Sequence, residues 1–250
     1  MQLSTRGIVL KEQPVGESGK LIVVLTETSG IVRAFAHGAR KSSSRLLAGC
    51  SLFSYSHFVL TSSKDAYTVT SAENLTMFHS LRTDVEKLAL ASYFSELCGF
   101  VVPTDSSSGQ FLRLFLNCIH FLSNGSLSPL AIKAVFELKS MEFAGYMPNL
   151  VGCCHCGEYM SEKMFYLPHS GSLCCGNCVG KLSGQPCILL TKGALTAMRY
   201  IVFTELKKVF CFSLSNESLR ILGRVSESYV LSTLERGFPT LDFYHSLTKE

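Results

Sequence analysis

The sequence predicts a two-domain α+β chain: a small N-terminal β-barrel, then an α-helical domain carrying an inserted four-cysteine module. Three observations predict it. About the first 75 residues are short β-branched and aromatic runs divided by Gly, Ser and Asp turn signals. From residue 80 onward, apolar residues recur at helical spacing. Between two helical stretches stand Cys153-x-x-Cys156 and Cys175-x-x-Cys178. The boundaries that follow are 1–80 for the barrel, 81–250 for the helical domain and 150–182 for the module inside it.

The barrel runs are Thr5–Leu10, Lys20–Thr26, Ile31–Gly38, Leu52–Thr61 and Tyr67–Ala72, with Val15-Gly16-Glu17-Ser18-Gly19 as a turn. Five short strands without a helical period between them fit a five-stranded barrel, of which the OB-fold is a common kind. In the third run side chains alternate between two faces. Val32, Ala34 and Ala36 suit a barrel interior, while Ile31, Arg33, Phe35 and His37 share the outer face. An aromatic ring among cations is a surface that stacks bases and neutralises phosphates; packing under a neighbouring domain is the structural alternative for Phe35.

The helical pattern runs over Thr83–Val101, then over Gly109–Ser123 after the capping loop Asp105-Ser106-Ser107-Ser108, and from Pro129 to about Ala144. Pro129 fits a first turn and Gly145 a C-terminal stop. Pro148 and Gly152 break the chain into the cysteine module. Helices resume at Thr191–Phe203 and Glu217–Arg236, the last closed by Gly237 and Pro239.

The chain has 250 residues, 47% of them hydrophobic, enough to bury a sizeable core. Eleven cysteines would suit a small disulfide-stapled secreted domain. The length, the apolar content and a start, Met1-Gln2-Leu3-Ser4-Thr5-Arg6, without an apolar signal segment point instead to a reducing cytoplasm. The apolar stretch Phe111–Leu122 is broken by Arg113 and His120 and falls short of the roughly 20 residues of a membrane span. Cys50, Cys98, Cys118, Cys187 and Cys211 lie in apolar surroundings and read as small core residues. The net charge of +4 is uneven: residues 1–80 carry eight Lys/Arg against five Asp/Glu.

Four thiols in two Cys-x-x-Cys knuckles, with 18 residues between Cys156 and Cys175, match a tetrahedral Zn²⁺ site. Gly157 and Gly176 give those turns a permissive backbone. Cys154, His155 and Cys174 are adjacent alternative ligands, but Cys153, Cys156, Cys175 and Cys178 alone give two clean spacings. Four protein sulfurs leave no open position, so the expectation is one structural Zn²⁺ per chain rather than a zinc enzyme.

After the third strand, Gly38-Ala39-Arg40-Lys41-Ser42-Ser43-Ser44-Arg45 packs three cations and three hydroxyls into six positions. Such a loop neutralises and hydrogen-bonds phosphates, but it lacks the Gly-x-x-x-x-Gly-Lys-Ser/Thr order of a nucleotide-binding loop. No His-Glu-x-x-His, Gly-x-Ser-x-Gly or deaminase signature is present, and the scattered histidines, including His37, His57 and His79, have no partner placed by spacing. The expectation is a binding protein, not an enzyme. A zinc-stabilised protein-interaction scaffold without DNA binding is the alternative of a different class.

Arg6-Gly7-Ile8-Val9-Leu10, the basic loop, Phe143-Ala144-Gly145-Tyr146-Met147-Pro148-Asn149-Leu150 running into Cys153, and Gly171-Ser172-Leu173-Cys174-Cys175 together resemble the bacterial RecO family of recombination mediators over essentially the whole chain. The resemblance implies an N-terminal OB-fold, a helical domain and a zinc module, with no enzymatic activity. It implies binding of single- and double-stranded DNA, annealing of complementary strands, and contacts with RecR and the C-terminal tail of single-stranded DNA-binding protein. It also implies help in loading RecA onto coated DNA, in a bacterial cytoplasm and on the nucleoid when DNA-bound. Carried over, Arg40, Lys41 and Arg45 match the family's basic loop and the four cysteines its zinc positions. An apolar groove rimmed by Lys or Arg would suit an acidic, hydrophobic partner tail; the sequence does not place that groove, and Arg113, Lys133 and Lys139 are candidates for its rim only because they punctuate apolar helices.

Overall fold

Strands β1 (Gln2–Val15), β2 (Gly19–Thr26), β3 (Ile31–Ala36), β4 (Ser54–Ser62) and β5 (Tyr67–Met77) close into a barrel in the order β1-β2-β3-β5-β4. All pairings are antiparallel except β3 with β5. The computed structural model describes residues 2–62, 66–104, 106–182 and 184–248. The five expected strands are present, and β1 and β5 run longer than their apolar cores announced. β1 does so because a register shift between Val9 and Lys11 lets one strand pair with both β2 and β4 without losing its inward face.

The barrel interior is filled by small and branched side chains: Val9, Ile22, Val24, Val32, Ala34, Ala36, Phe58, Leu60 and Val69 are all buried. The alternation expected for β3 is observed: Val32, Ala34 and Ala36 point in, while Arg33 and Phe35 are exposed. Cys50 belongs to this core, and Cys98 and Cys118 are buried as expected. Cys187 and Cys211 are not core residues: both are exposed, although buried apolar side chains such as Val209 stand close by in sequence.

The chain divides into two compact units, Met1–Asn124 with Thr240–Glu250, and Gly125–Pro239. In the first, α1 (His79–Arg82), α2 (Val85–Val101), α3 (Gly109–Asn124) and α7 (Pro239–Leu247) accompany the barrel. Asp84 caps α2 by accepting from the N–H groups of Glu86 and Lys87 at 3.1 Å. Asp105 of the expected capping loop lies outside the described residues. Ser108 ties α3 to the barrel instead: its hydroxyl donates to Thr26 O at 2.5 Å and its N–H to Glu27 O at 3.1 Å. α7 was not expected. Pro239 reads as a stop signal, but a proline also suits the first turn of a new helix. Glu96 anchors that turn, accepting from Thr240 N at 3.2 Å and Thr240 Oγ1 at 2.5 Å.

The second unit holds α4 (Pro129–Phe143), α5 (Lys192–Phe203) and α6 (Asn216–Leu234) with a four-stranded sheet, β6 (Asn149–Cys153), β8 (Ser172–Cys175), β7 (Met164–Leu167) and β9 (Ile188–Leu190), in that order. The sheet is the cysteine module; its strands of three to five residues are too short to show a period in sequence. The Gly-Tyr-x-Pro segment that enters it is fixed by Tyr229 of α6, whose hydroxyl donates to Tyr146 O at 2.9 Å. Gly171, at φ +59°, is needed there twice over: a Cβ would also stand 2.9 Å from the Tyr229 ring.

Lys133 and Lys139 do not rim a groove. They are 1% and 3% exposed. Lys133 bridges Glu137 at 2.8 Å and Glu227 at 2.7 Å, while Ser226 donates to Glu137 at 2.5 Å. Lys139 donates to Glu142 at 2.5 Å and to Val202 O at 3.2 Å. α4 is enclosed by its neighbours, and every residue from Ile132 to Met141 is buried, so its charges are paired internally. Arg113 on α3 is exposed. Removing one partner of a buried pair strands the other. Lys133→Met is expected to cost about 3–5 kcal/mol in urea unfolding, and Lys133→Met with Glu137→Leu to recover most of it. Equal stabilities for the single and double variants would refute the paired arrangement.

Candidate nucleic-acid interface and metal centre

On the barrel, two cross-strand rows build one outer face. Lys11 pairs with Val23 and Val23 with Arg33; Gln13 pairs with Leu21, Leu21 with Phe35 and Phe35 with Thr68. Lys11, Arg33 and Phe35 are exposed, and Leu21 and Val23 half-buried. The result is a cation on either side of an apolar floor with one open ring, the chemistry that single-stranded nucleic acid needs. Lys11 was not among the expected residues, because β1 was expected to end at Leu10. Its signal was the cross-strand register, which the sequence does not carry.

His37 is exposed in the turn that follows β3. Arg40 is exposed too, but its guanidinium donates to Gly16 O at 3.4 Å and Glu17 O at 3.3 Å, and its N–H to Ser18 O at 2.9 Å. It therefore pins the basic loop to the β1–β2 turn. Lys41 and Arg45 are exposed, with Ala39 buried in the barrel between Arg40 and the strand. Lys20, nearby in sequence to that turn, is occupied by Glu12 at 2.7 Å.

In the module, the Sγ atoms of Cys153, Cys156, Cys175 and Cys178 all lie within 4.8 Å of one another, and Cys156 and Cys175 stand 3.6 Å apart. A tetrahedral Zn²⁺ with bonds of about 2.3 Å separates its sulfurs by about 3.8 Å, so the cluster has the size such an ion requires. Both knuckles close by backbone hydrogen bonds: Gly157 N–H donates to Cys153 O at 2.8 Å and Cys178 N–H to Cys175 O at 3.0 Å. Gly157 has φ +77° as a knuckle turn demands; Gly176 does not adopt positive φ, and its absent side chain leaves room for Lys163.

The protonation preferences fit a shared charge. Burial raises the Cys153 thiol, but backbone N–H groups of Cys175, His155 and Cys156 outweigh it and hold the group at about 5. Cys178 is pushed up to about 12 by burial and by hydrogen bonds with the neighbouring sulfurs. Cys156 is raised as well: the Glu158 N–H favours its thiolate, but hydrogen bonds with Cys175 and Cys153 prevail. Thiols that take a dication lose their protons and bind it as thiolates.

Arg199 of α5 carries the module, a role with no signal in sequence. Its Nε donates to Leu150 O at 2.8 Å and its Nη2 to Val151 O at 3.2 Å and Tyr159 O at 2.7 Å. Its guanidinium carbon stacks 3.8 Å from the Tyr159 ring centroid. The segments on both sides of the first knuckle are thereby held by one buried side chain.

Models of two protein families match the chain: the one described as Recombination protein O N terminal over residues 1–78, and Recombination protein O C terminal over residues 82–242. The curated protein of Acetivibrio thermocellus named DNA repair protein RecO is 34% identical over 247 residues, covering 99% of this chain and 98% of that one. The protein of the same name from Alkaliphilus metalliredigens is 31% identical, covering 94% and 95%. That of Dehalococcoides mccartyi is 27% identical, covering 98% and 96%.

Replacing Arg199 by Leu leaves three carbonyls without their donor. The expected cost is about 3 kcal/mol, from one charged hydrogen-bond network, with proteolytic cutting appearing first between residues 150 and 160. Unchanged proteolysis of that segment would show that Arg199 does not hold the knuckle.

Proposed function

The chain belongs to the Recombination protein O (RecO) family, and from that premise we propose that it is a recombination mediator of bacterial DNA repair. In this reading it binds single- and double-stranded DNA, anneals complementary strands, and with RecR helps load RecA onto DNA coated by single-stranded DNA-binding protein, whose C-terminal tail it contacts. It works without enzymatic chemistry, in the cytoplasm and on the nucleoid when DNA-bound.

The observation that carries the reading is the outer face of β3. Arg33 and Phe35 stand exposed beside Leu21 and Val23, with Lys11 across the strands. Annealing requires two polyanions to be held together, and cations placed along a barrel lower that repulsion by releasing counterions. His37, Arg40, Lys41 and Arg45 extend the positive margin past the end of the strand, with Arg40 setting the loop and Lys41 and Arg45 free to reach phosphates. A single Zn²⁺ shared by Cys153, Cys156, Cys175 and Cys178 braces the module structurally and supplies no catalytic position.

The alternative, a metal-braced scaffold that touches no DNA, draws on exposed apolar side chains around the module: Tyr146, Met147, Val151 and Tyr159. DNA binding separates the two.

Fluorescence anisotropy with single-stranded DNA is expected to show affinity falling steeply with salt. Arg40→Ala with Lys41→Ala and Arg45→Ala should flatten the slope of log K against log salt by roughly 1.4, from the two phosphate contacts of Lys41 and Arg45. Phe35→Ala should weaken single-stranded binding by about 1–3 kcal/mol while leaving duplex binding nearly intact, because only unpaired bases stack on the ring. Binding that ignores salt and all four substitutions would favour the scaffold. For the metal, the folded protein is expected to retain one tightly held zinc, lost in Cys178→Ser together with much of the stability of the module. Full stability of a metal-stripped sample would remove zinc from the account.

A further inference from the structure

The doubled cysteines of this chain are more than the four-sulfur cluster needs. Cys153-Cys154 and Cys174-Cys175 lie at one level of the parallel pair β6 and β8: Cys153 pairs with Leu173, and Cys154 N–H donates to Leu173 O at 2.8 Å. Consecutive residues of a strand send their side chains to opposite sides. Within β8 Cys174 and Cys175 are therefore parted, and Cys154 stands in the turn just past the end of β6, with Cys153 and Cys175 going to the first cluster. The remaining sulfurs, of Cys154 and Cys174, meet a ring nitrogen of His155, and these three ligand atoms lie within 4.8 Å of one another. Cys154 and His155 are exposed and Cys174 is buried, so the group has one anchored ligand and two at the surface.

We propose that Cys154, His155 and Cys174 form a second metal site, taking a Zn²⁺ through two thiolates and one imidazole and leaving its fourth position open. Ligand separations of about 3.5–3.8 Å suit such an ion, so the group has to close by about an ångström at most. A cleft of about 270 Å³ lies against it, lined by Cys154, His155, Ser170, Ser172, Lys181 and Gln185. The hydroxyls, amide and ammonium that line it are groups suited to a bound water or a small anion. Electrostatics point the same way. Four thiolates around one Zn²⁺ leave a net −2 in the adjoining cluster, which favours a further cation, while two thiolates, one neutral imidazole and Zn²⁺ sum to zero. Three protein ligands with a fourth place free is the pattern of an open zinc site rather than of a closed structural one.

The test is zinc titration of the full-length protein under a reductant, in competition with a chromophoric chelator. The parent is expected to hold two equivalents, the second at least about tenfold weaker than the first, since it has one ligand fewer. Cys154→Ser with His155→Ala, both surface positions, should abolish the second equivalent and leave the first and the far-ultraviolet circular dichroism unchanged. Cys174→Ser should do the same from the buried side. A parent that stops at one equivalent, a double variant that still takes two, or a double variant that loses the tight equivalent as well would overturn the assignment.

Discussion

The two-residue period of an extended strand is the constraint on which both candidate sites of this protein depend. In β3 it separates Val32, Ala34 and Ala36, which close the barrel core, from Arg33 and Phe35, which face solvent. In β8 the same period separates Cys174 from Cys175 and so assigns adjacent sulfurs to different neighbourhoods. A slip of one residue in either strand would exchange the two sets. The barrel closure by β3 with β5 and the pairing of β8 with both β6 and β7 hold the registers. Chemistry at the surface is thus fixed by hydrogen bonds in the ladder, not by the side chains that perform it.

Buried charge marks where packing overruled the ordinary reading of the residues. Lys133, Glu137 and Arg199 are all enclosed and each is held by specific partners, although Nη1 of Arg199 is buried without one among the described residues. Burial pushes the Glu137 carboxyl up, although Lys133 opposes that shift by its charge and hydrogen bond. Such groups add little net stability over an apolar core, but the loss of one member is costly. They fix the arrangement of α4 against α6 and of α5 against the cysteine knuckle, and so tie the helices to the module through geometry rather than through apolar area alone. The surface charges differ. Lys11, Arg33, Lys41 and Arg45 lie in solvent, where a pairwise contact is worth little and a polyanion is the partner that rewards several at once.

The β-barrel was legible because its five runs carry β-branched residues between Gly and Ser turns, and its outer face because Arg33 and Phe35 alternate with small residues. The cluster of Cys153, Cys156, Cys175 and Cys178 was legible because knuckle spacing is local. The module's sheet was not: strands as short as Ile188–Leu190 have no room for a period. Nor was α7, since Pro239 reads as a stop signal yet begins a helix, while α6 already ends at Leu234. Lys133 and Lys139 looked like punctuation on an apolar helix; only the elements packed around α4 show that their charges turn inward.

By itself the sequence determined what is set within a few residues: the strand and helix content, the knuckle ligands and the cation-rich loop after β3. Tertiary structure alone decided which charges meet solvent, because burial depends on elements distant in the chain. It brought Lys11 level with Arg33 across two strands, turned Arg40 back onto the β1–β2 turn, and placed Arg199 beneath a knuckle some forty residues away. It also sorted seven side chains of the module with metal-ligand chemistry into two groups. Spacing along the chain records neighbours in sequence, whereas coordination and binding depend on neighbours in space.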